Sequence, residues 1–333
     1  MTNDSKHRRR QTWAIVLAGG EGTRLANLTA ALHGRPTPKQ FAMIGGRRSM
    51  LQDTLRRLAP IVPAKRTLVV IGRGHVPWIR TQLCGPRAPL TLVQPASRGT
   101  ATAIALALQW IRLRDPDADI LISPSDHHVA AVDSYRSAVR HACDAAHDSG
   151  RVTLVGVKPE YDDPDFGWIV EGARAPNGSR ALERFVEKPD AVTARSLRAS
   201  GALWNTFLLA GPATTLWSLI NRNLPAHARE LAALDCLSFA PGSPDLDRSF
   251  DQLAAADFSR DVLQHASDLG VVTMADSGWD DWGTPDRVLR SLGNARALEL
   301  RELLASASCG DRRTADHSHH RACAGPLVVE NAA

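Results

Sequence analysis

The sequence predicts a three-layer α/β/α fold of the Rossmann-like kind, built around a mostly parallel but mixed central sheet. Apolar segments rich in strand formers alternate with segments of helical length over the first half of the chain. This order is typical of parallel sheets covered by helices on both faces. The first strand runs directly into a cluster of glycines. Because open α/β sheets bind ligands at the carboxyl ends of their strands, this glycine turn predicts a binding site.

The predicted strands are short apolar runs bounded by turn residues. In the first half of the chain they span residues 13–17, 67–71, 90–94, 119–123 and 152–157. From Gly167 onward the strands are joined by turns, and they span residues 168–170, 182–186 and 203–209. The predicted helices span residues 49–58, 76–83, 100–113, 133–146, 191–199 and 213–220. The change of pattern predicts a second lobe set over the same sheet.

The folded region is expected to be one domain over residues 12–295, with a first part at 12–160 and a second part at 161–295. Residues 1–11 form a strongly basic arm, and residues 306–333 lack an amphipathic period. Both ends are therefore predicted to be disordered.

The composition argues against several classes of protein. Five cysteines, odd in number and never in a C-x-x-C pair, speak against a disulfide framework and a zinc site. No apolar run is long enough to cross a bilayer or to form a signal peptide, so a cytoplasmic protein without a membrane partner is expected. Much of the net charge of +5 lies in the basic arm, and only 5% of the residues are aromatic. Nucleic-acid binding is therefore not predicted.

The glycine turn carries the features of a phosphate-binding loop. Its closely spaced glycines allow backbone N–H groups to approach an anion without a Cβ in the way. Arg24 and Lys39 add positive charge at the same place, so the segment predicts a cradle for a triphosphate. The predicted nucleotide contacts in this loop are Leu17, Ala18, Gly19, Gly20, Gly22 and Thr23.

Two better-known phosphate loops do not fit. The pattern G-x-x-x-x-G-K-[ST] is absent, and the pattern G-x-G-x-x-G fails at Leu25, where a third glycine would allow close helix packing. The observed pattern is G-G-x-G-T-R-L, followed by Pro38-Lys39-Gln40-Phe41. It closely resembles the opening of the sugar-1-phosphate nucleotidyltransferases, and within that family it most resembles the mannose-1-phosphate guanylyltransferases.

The resemblance implies a fold, a reaction and a cofactor. The fold would be that of the nucleotide-diphospho-sugar transferases, with a nucleotide-binding part at 12–160 and a sugar-binding part at 161–295. The reaction would transfer a nucleotidyl group from GTP to mannose 1-phosphate with the help of Mg²⁺, giving GDP-mannose and pyrophosphate. Arg24, Lys39 and Lys188 would be the catalytic cations.

Two aspartates are implied as the ligands of Mg²⁺. Asp126 lies in Pro124-Ser125-Asp126-His127, directly after a predicted strand, and matches the family's P-S-D-H motif. In isolation, a turn cap would explain it equally well. Asp281 lies in the segment 278–285, which resembles G-W-x-D-x-G, and spacing alone does not exclude Asp280. Mg²⁺ binds a few carboxylates together with phosphate oxygens.

Three further segments imply the sugar-binding end of the site. Glu187 and Lys188 belong to F-V-E-K-P, which is matched in full. There, Glu187 would accept hydroxyl protons of the sugar and Lys188 would bind its phosphate. Asn205 belongs to a W-N-[ST] step. Gly167 belongs to a segment that resembles Y-G-Y-I-E, although Val170 stands where an acidic residue often occurs.

Residues 94–101 resemble the family segment E-P-x-x-R-N-T-A, which lies along the base. Arg98 and Thr100 are the implied nucleotide contacts, and Arg98 could donate a hydrogen bond to O6 of guanine. Gln94 and Gly99 replace the family's Glu and Asn. The loss of the carboxylate weakens any simple account of how the N2 amino group of guanine would be recognised.

Two other functions stay open. The departures at Gln94, Gly99, Val170 and Thr284 are compatible with a thymidylyl-, adenylyl- or uridylyltransferase. A non-catalytic paralogue that binds a nucleotide sugar would be expected to lack a phosphate-binding cation or a metal carboxylate, and this chain has all of them. The sequence therefore predicts small-molecule partners, GTP and mannose 1-phosphate, and leaves homo-oligomer formation open.

Overall fold

The computed structural model describes residues 11–240 and 242–308, and the strands within them form a single nine-stranded sheet. In chain order they are β1 (Thr12–Leu17), β2 (Thr67–Gly72), β3 (Leu90–Gln94), β4 (Asp119–Pro124), β5 (Thr153–Val157), β6 (Gly167–Arg174), β7 (Arg180–Glu187), β8 (Leu203–Pro212) and β9 (Gly270–Met274). Their order across the sheet is β3-β2-β1-β4-β8-β5-β9-β7-β6.

The sheet is mixed, and most of its strands run in the same direction. β1 pairs in parallel with β2 and β4, β2 pairs in parallel with β3, and β5 pairs in parallel with β9. β8 runs antiparallel to β4, β5 and β6, and β7 runs antiparallel to β6 and β9. Within the described part of the chain, only β7 and β8 therefore oppose the other strands. This arrangement confirms the predicted fold class.

Helices of varied length connect the strands. Within residues 11–240 and 242–308 they are α1 (Ala26–His33), α2 (Met50–Leu58), α3 (Val76–Gln82), α4 (Gly99–Arg112), α5 (Val132–Ser149), α6 (Ala191–Ala199), α7 (Ala213–Asn223), α8 (Pro225–Ala232), α9 (Pro244–Asp251), α10 (Phe258–Asp261), α11 (Pro285–Ser291) and α12 (Asn294–Ser308). Ser49 caps α2 in a reciprocal capping box with Gln52, which fixes the start of that helix.

The helices cover both faces of the sheet, because side chains alternate between the two faces along each strand. On one face, Ile15 and Val70 pack with α4, α7 and α8 in a continuous apolar cluster. On the other face, Val16 and Ile71 pack with residues of α2, α3, α5 and α6. These two cores make the three layers of the fold.

A third apolar cluster joins the region after β1 to the last described helix. Leu25 and Leu28, around the start of α1, pack with Trp282 and with Leu300 of α12. α12 continues to Ser308, past residue 295 where the sequence predicts the end of the domain. The region after β1 and the last described helix therefore share one core.

Eight strands and six helices lie where the alternating pattern predicts them, with ends that differ by up to four residues. β9, α1, α8, α9, α10, α11 and α12 are not predicted, and all of them except the 15-residue α12 have eight residues or fewer. Segments of that length give almost no periodic signal. β9 matters for the topology, because it lies between β5 and β7 and links the two parts of the sheet.

Most of the predicted arm and tail, at residues 1–10 and 309–333, lies outside the described residues. Among the helices of the described residues, none combines the length and the apolar character that a bilayer crossing requires. The cytoplasmic location stays a prediction.

Gly99, the first residue of α4, is required both by its backbone angle and by its surroundings. Its φ is +83°, a conformation that favours glycine. A Cβ at this position would overlap the carbonyl oxygen of Ala256. The Ala256 N–H donates to the Arg98 carbonyl at 3.0 Å, and the Ala101 N–H donates to the Ala256 carbonyl at 3.1 Å. Glycine therefore lets the segment before α10 lie directly on the start of α4.

Substitution of Gly99 by alanine should lower the free energy of unfolding by about 2–5 kcal/mol, because it combines left-handed backbone strain with an overlap against main chain. Urea unfolding measures the change. Gly74→Ala is the matched control, since a Cβ there meets no atom within 4 Å, and its effect should stay within about 0.5 kcal/mol. Equal unfolding midpoints for the two variants would contradict the packing argument.

Candidate active site

A cavity of about 390 Å³ opens at the carboxyl ends of β1, β3 and β4. Leu17, Gln94 and Pro124, from the ends of these strands, line it. Of the predicted site residues, the structure places twelve along this cavity: Leu17, Gly19, Gly20, Gly22, Arg24, Thr100, Asp126, Gly167, Glu187, Lys188, Asn205 and Asp281. The motifs that lie far apart in the sequence therefore converge on one site.

The glycine loop is held in place by close packing and by one buried amide. A Cβ at Gly22, whose φ is +62°, would come within 2.7 Å of the Lys39 backbone nitrogen. Gln40 is buried, and its Nε2 donates to the carbonyl oxygens of Ala18 at 2.9 Å and Gly20 at 2.8 Å. These two bonds fix the loop between β1 and α1, while Gly20 itself faces the cavity.

Lys39 lies beneath the cavity rather than on its wall. Its side chain is only 7% exposed, and its Nζ lies 2.9 Å from Asp126 Oδ2 and also donates to the Asp281 carbonyl oxygen. Burial by itself would raise the pKa of Asp126, but the Lys39 charge and hydrogen bond, together with His127, outweigh it and the pKa is lowered. Asp126 is therefore ionised at neutral pH and faces the cavity.

Asp281 is oriented by an arginine that the sequence analysis does not identify. Burial opposes its ionisation, but nearby positive charge, including Lys39 and Arg287, lowers its pKa. Arg287 Nη1 donates to Asp281 Oδ1 at 2.8 Å, and Nη2 donates to Asp163. The guanidinium also lies 4.4 Å from the centre of the Phe166 ring. No motif contains Arg287, which lies six positions after Asp281 and also reaches a loop 124 positions earlier.

Asp280 and Asp281 have different surroundings. Asp281 lines the cavity, whereas Asp280 does not, and its Oδ1 accepts a hydrogen bond from the Trp282 N–H at 2.6 Å. Burial raises the pKa of Asp280 to about 6. The geometry therefore favours Asp281 over its neighbour as a cavity ligand.

Two ionised carboxylates, of Asp126 and Asp281, thus border the cavity that the glycine loop closes. The described residues contain no group of three or more His, Cys, Asp or Glu side chains that could hold a metal ion by themselves. A cation here would need further ligands from a substrate. This donor set fits Mg²⁺, which is commonly bound by one or two carboxylates together with phosphate oxygens and water.

The predicted sugar-binding residues lie together where β6, β7 and β8 border the cavity. Gly167 pairs with Glu187, and a Cβ at Gly167 would lie 2.7 Å from Glu187 Oε2 and 3.4 Å from Asn205 Cβ. Lys188 has a φ of +44° and Phe207 a φ of +58°, and both line the cavity. Left-handed backbone at non-glycine residues costs about 1–3 kcal/mol and clusters at functional sites.

The Glu187 carboxyl lies in an environment that disfavours its charge. Burial and the nearby Asp257 raise its pKa to about 7. Asp257 lines the same cavity, and its Oδ2 accepts a hydrogen bond from the Thr100 hydroxyl at 3.0 Å. A carboxyl that is half protonated near neutral pH can both donate to and accept from hydroxyl groups. This end of the cavity therefore suits a ligand with several hydroxyl groups.

The predicted base contacts divide into one that lines the cavity and one that does not. Thr100 lines the cavity, whereas Arg98 does not, and its Nε donates to the Phe250 carbonyl at 3.1 Å instead. Gln94 is buried, lines the cavity, and has an Oε1 atom without a hydrogen-bond partner among the described residues. Its Nε2 lies against Gly19, where a Cβ would approach it to 2.6 Å. Gln94, and not Arg98, thus presents a polar group there.

Two further predicted contacts lie outside the cavity wall. Ala18 is buried and holds the loop through its backbone, while Thr23 is exposed at the start of a 3-10 turn. Several residues that line the cavity are not among the predicted contacts, namely Gln40, His127, Asp165, Asp257, Ser259 and Trp279. Gln40 and His127 are the direct neighbours of predicted residues, so the motifs could have identified them. Asp257 and Ser259 lie in a segment without any motif.

The doubly covered sheet and the charged cavity at its strand ends define an α/β protein with a candidate site at the carboxyl edge of the sheet. The family model described as nucleotidyl transferase matches residues 13–228. The chain belongs to this family, and the resemblance that its motifs predict is confirmed.

Individual relatives agree with this assignment. Xanthan biosynthesis protein XanB of Xanthomonas campestris pv. campestris (strain B100) is 34% identical over 279 residues, which cover 81% of this chain and 57% of that protein. Mannose-1-phosphate guanylyltransferase of Escherichia coli (strain K12) is 31% identical over 289 residues, 82% of this chain and 58% of that protein. The chain thus spans little more than half the length of these relatives.

A solved structure shows the same fold. The crystal structure of mannose-1-phosphate geranyltransferase from Thermus thermophilus superposes with a TM-score of 0.74 at 30% sequence identity. The match covers 84% of this chain and 79% of that chain.

The Glu187 carboxyl should titrate near pH 7, and Asp257→Asn should lower its pKa, because one like charge is removed. The lowered value should stay above the ordinary 4.5, since burial remains. Carboxyl-detected NMR measures both, with Glu187→Gln to identify the signal. Asp251→Asn, an exposed change in the same segment, should leave the titration unaltered. An ordinary pKa in the unsubstituted protein would contradict this account of the cavity.

Proposed function

We propose that the protein is a Mg²⁺-dependent sugar-1-phosphate nucleotidyltransferase that uses GTP and mannose 1-phosphate and forms GDP-mannose and pyrophosphate. The observation that carries the proposal is the buried Lys39, which bonds Asp126 and the Asp281 backbone beneath the glycine loop. Lys188 and Glu187 border the same cavity, so groups for a triphosphate and for a sugar phosphate lie within one site. The names of two relatives specify mannose 1-phosphate, which supports this choice of sugar.

The reaction needs no protein nucleophile. A phosphate oxygen of the sugar phosphate forms a bond to the α-phosphorus of the triphosphate. The bond to pyrophosphate breaks, and pyrophosphate leaves with the electron pair. Since the attacking phosphate is already ionised, the chain's contribution is to position the two reactants and to neutralise their charge.

Each positively charged side chain has a separate role in this reaction. Lys188 would hold the attacking phosphate, and Arg24 would stabilise charge on the leaving pyrophosphate. Lys39 would act from below the glycine loop, by holding Asp126 and the Asp281 backbone in place under the triphosphate. Asp126 and Asp281 would hold Mg²⁺, which neutralises phosphate charge when it is bound.

GTP is supported by one observation at the base end of the cavity. The unpartnered Oε1 of Gln94 is a buried acceptor, and guanine offers two adjacent donors to such a group, N1–H and the amino group on C2. Leaving a buried acceptor unpaired costs about 1–3 kcal/mol, so a base that pairs it is favoured.

Lys188→Ala should reduce kcat/KM by a factor of about 10² to 10³, as expected for the loss of one group that stabilises charge in the transition state. Pyrophosphate release in the presence of Mg²⁺ measures it. Lys158→Ala is the matched control, because Lys158 is an exposed lysine that does not line the cavity. Similar turnover in the two variants would exclude Lys188 from the proposed role.

Pyrophosphate release should be fastest with GTP and mannose 1-phosphate when GTP, ATP, dTTP and UTP are each crossed with mannose 1-phosphate and glucose 1-phosphate. The Gln94 acceptor and the relatives lead to this expectation. Preference for another pair would keep the reaction type and overturn the proposed specificity. Release in none of the combinations, with nucleotide sugar still bound, would identify a non-catalytic binding protein instead.

A further inference from the structure

A second cavity, of about 520 Å³, lies between α2, the loop after α3 and the start of β3. It has no residue in common with the cavity described above. Four arginines line it: Arg47, Arg48, Arg56 and Arg87. Nothing in the reaction proposed above uses these side chains.

The charge of this second cavity is unbalanced. No Asp or Glu is among its lining residues. Within the described part of the chain, none of its four guanidinium groups forms an ion pair. Like charges around one concave surface repel one another, and a bound anion relieves that repulsion. Guanidinium groups in particular match the geometry of phosphate oxygens.

The second cavity is lined by apolar side chains as well as by arginines. Leu55, Ala59 and Val62 contribute apolar surface. Gln82 also lines it, and the Oε1 atom of Gln82 is buried without a hydrogen-bond partner among the described residues. A ligand that satisfies all of these features carries phosphate for the arginines, an organic part for the apolar surface and a donor for Gln82.

The second cavity is separate from the first, but hydrogen bonds connect its lining to the segment that supports the glycine loop. Gln82 Nε2 donates to the Phe41 carbonyl at 2.8 Å, and Gln52 Nε2 donates to the Gln82 carbonyl at 3.0 Å. Phe41 directly follows Lys39 and Gln40, which support the glycine loop. An occupant that contacts Gln82 would therefore contact a side chain that is hydrogen-bonded to the segment carrying the buried lysine.

We propose that this arginine-lined cavity is a second binding site, which takes a phosphorylated small molecule. The site is defined by the four arginines and by Gln82, and its volume lies within the range of about 300–1,000 Å³ that is typical of small-molecule pockets. The inference does not rest on the reaction proposed for the first cavity.

Equilibrium dialysis with radiolabelled pyrophosphate, in EDTA and at low salt, tests the proposal. The double variant Arg56→Ala/Arg87→Ala should bind one pyrophosphate fewer than the unsubstituted protein, because the affinity of the second site should fall about 100-fold. The matched control is Arg140→Ala/Arg174→Ala, which removes the same charge at exposed positions outside both cavities. It should bind as many pyrophosphate ions as the unsubstituted protein.

The proposal is tested by the number of pyrophosphate ions bound per protein in each double variant and in the unsubstituted protein. If both cavities bind pyrophosphate, the unsubstituted protein should bind two ions and the double variant one. If the first cavity binds none, these numbers should be one and zero. Failure of the proposed function and failure of the second site therefore give different results. Equal numbers for the two double variants would overturn the second site. The pair Arg47→Ala/Arg48→Ala repeats the test if the first variant melts at a lower temperature. Retention of a short RNA that depends on these arginines, with an unchanged pyrophosphate number, would also overturn the proposal.

Discussion

The site depends on one buried ammonium group. Lys39 has almost no contact with solvent, and a buried charge is tolerated only when it is paired and hydrogen-bonded. Its partners come from distant parts of the chain, since Asp126 follows β4 and the Asp281 carbonyl lies 242 positions after the lysine. The glycine loop lies directly over the lysine, because Gly22 has no Cβ to separate them. Three separate segments are therefore positioned by one charge.

A second set of contacts holds these partners in their orientation. Arg287 donates to Asp281 Oδ1 and is one of the charges that lower the pKa of Asp281, while it also binds Asp163 and packs over Phe166. Gln40 holds the loop carbonyls from below. Charged groups arranged in this way need little rearrangement when a phosphate arrives, and such preorganisation is what electrostatic catalysis requires. The same contacts couple the site to the packing of α11.

The fold class and the site residues that belong to motifs can be predicted from the sequence, because both depend on local patterns. Glycine turns, strand-end carboxylates and the Glu187-Lys188 pair have local patterns that are visible without the fold. Arg287 and Asp257 have no such pattern. Arg287 bonds Asp163, 124 positions earlier, as well as Asp281 just before α11, and Asp257 bonds Thr100, 157 positions earlier. Arg98 fits a motif, yet its side chain is drawn away from the cavity by the Phe250 carbonyl, which no local pattern indicates.

Gly99 departs from the family segment that it resembles, and the structure gives this glycine a packing role. It lies in the segment that resembles a base-binding element, so its replacement of Asn suggests an effect on the base. In the structure, its missing Cβ allows the segment around Ala256 to dock on α4, and this docking brings Asp257 to the cavity. Asp257 then raises the pKa of Glu187, in addition to burial. The missing Cβ of Gly99 thus lets backbone packing bring a further carboxylate to the end of the cavity where Glu187 lies.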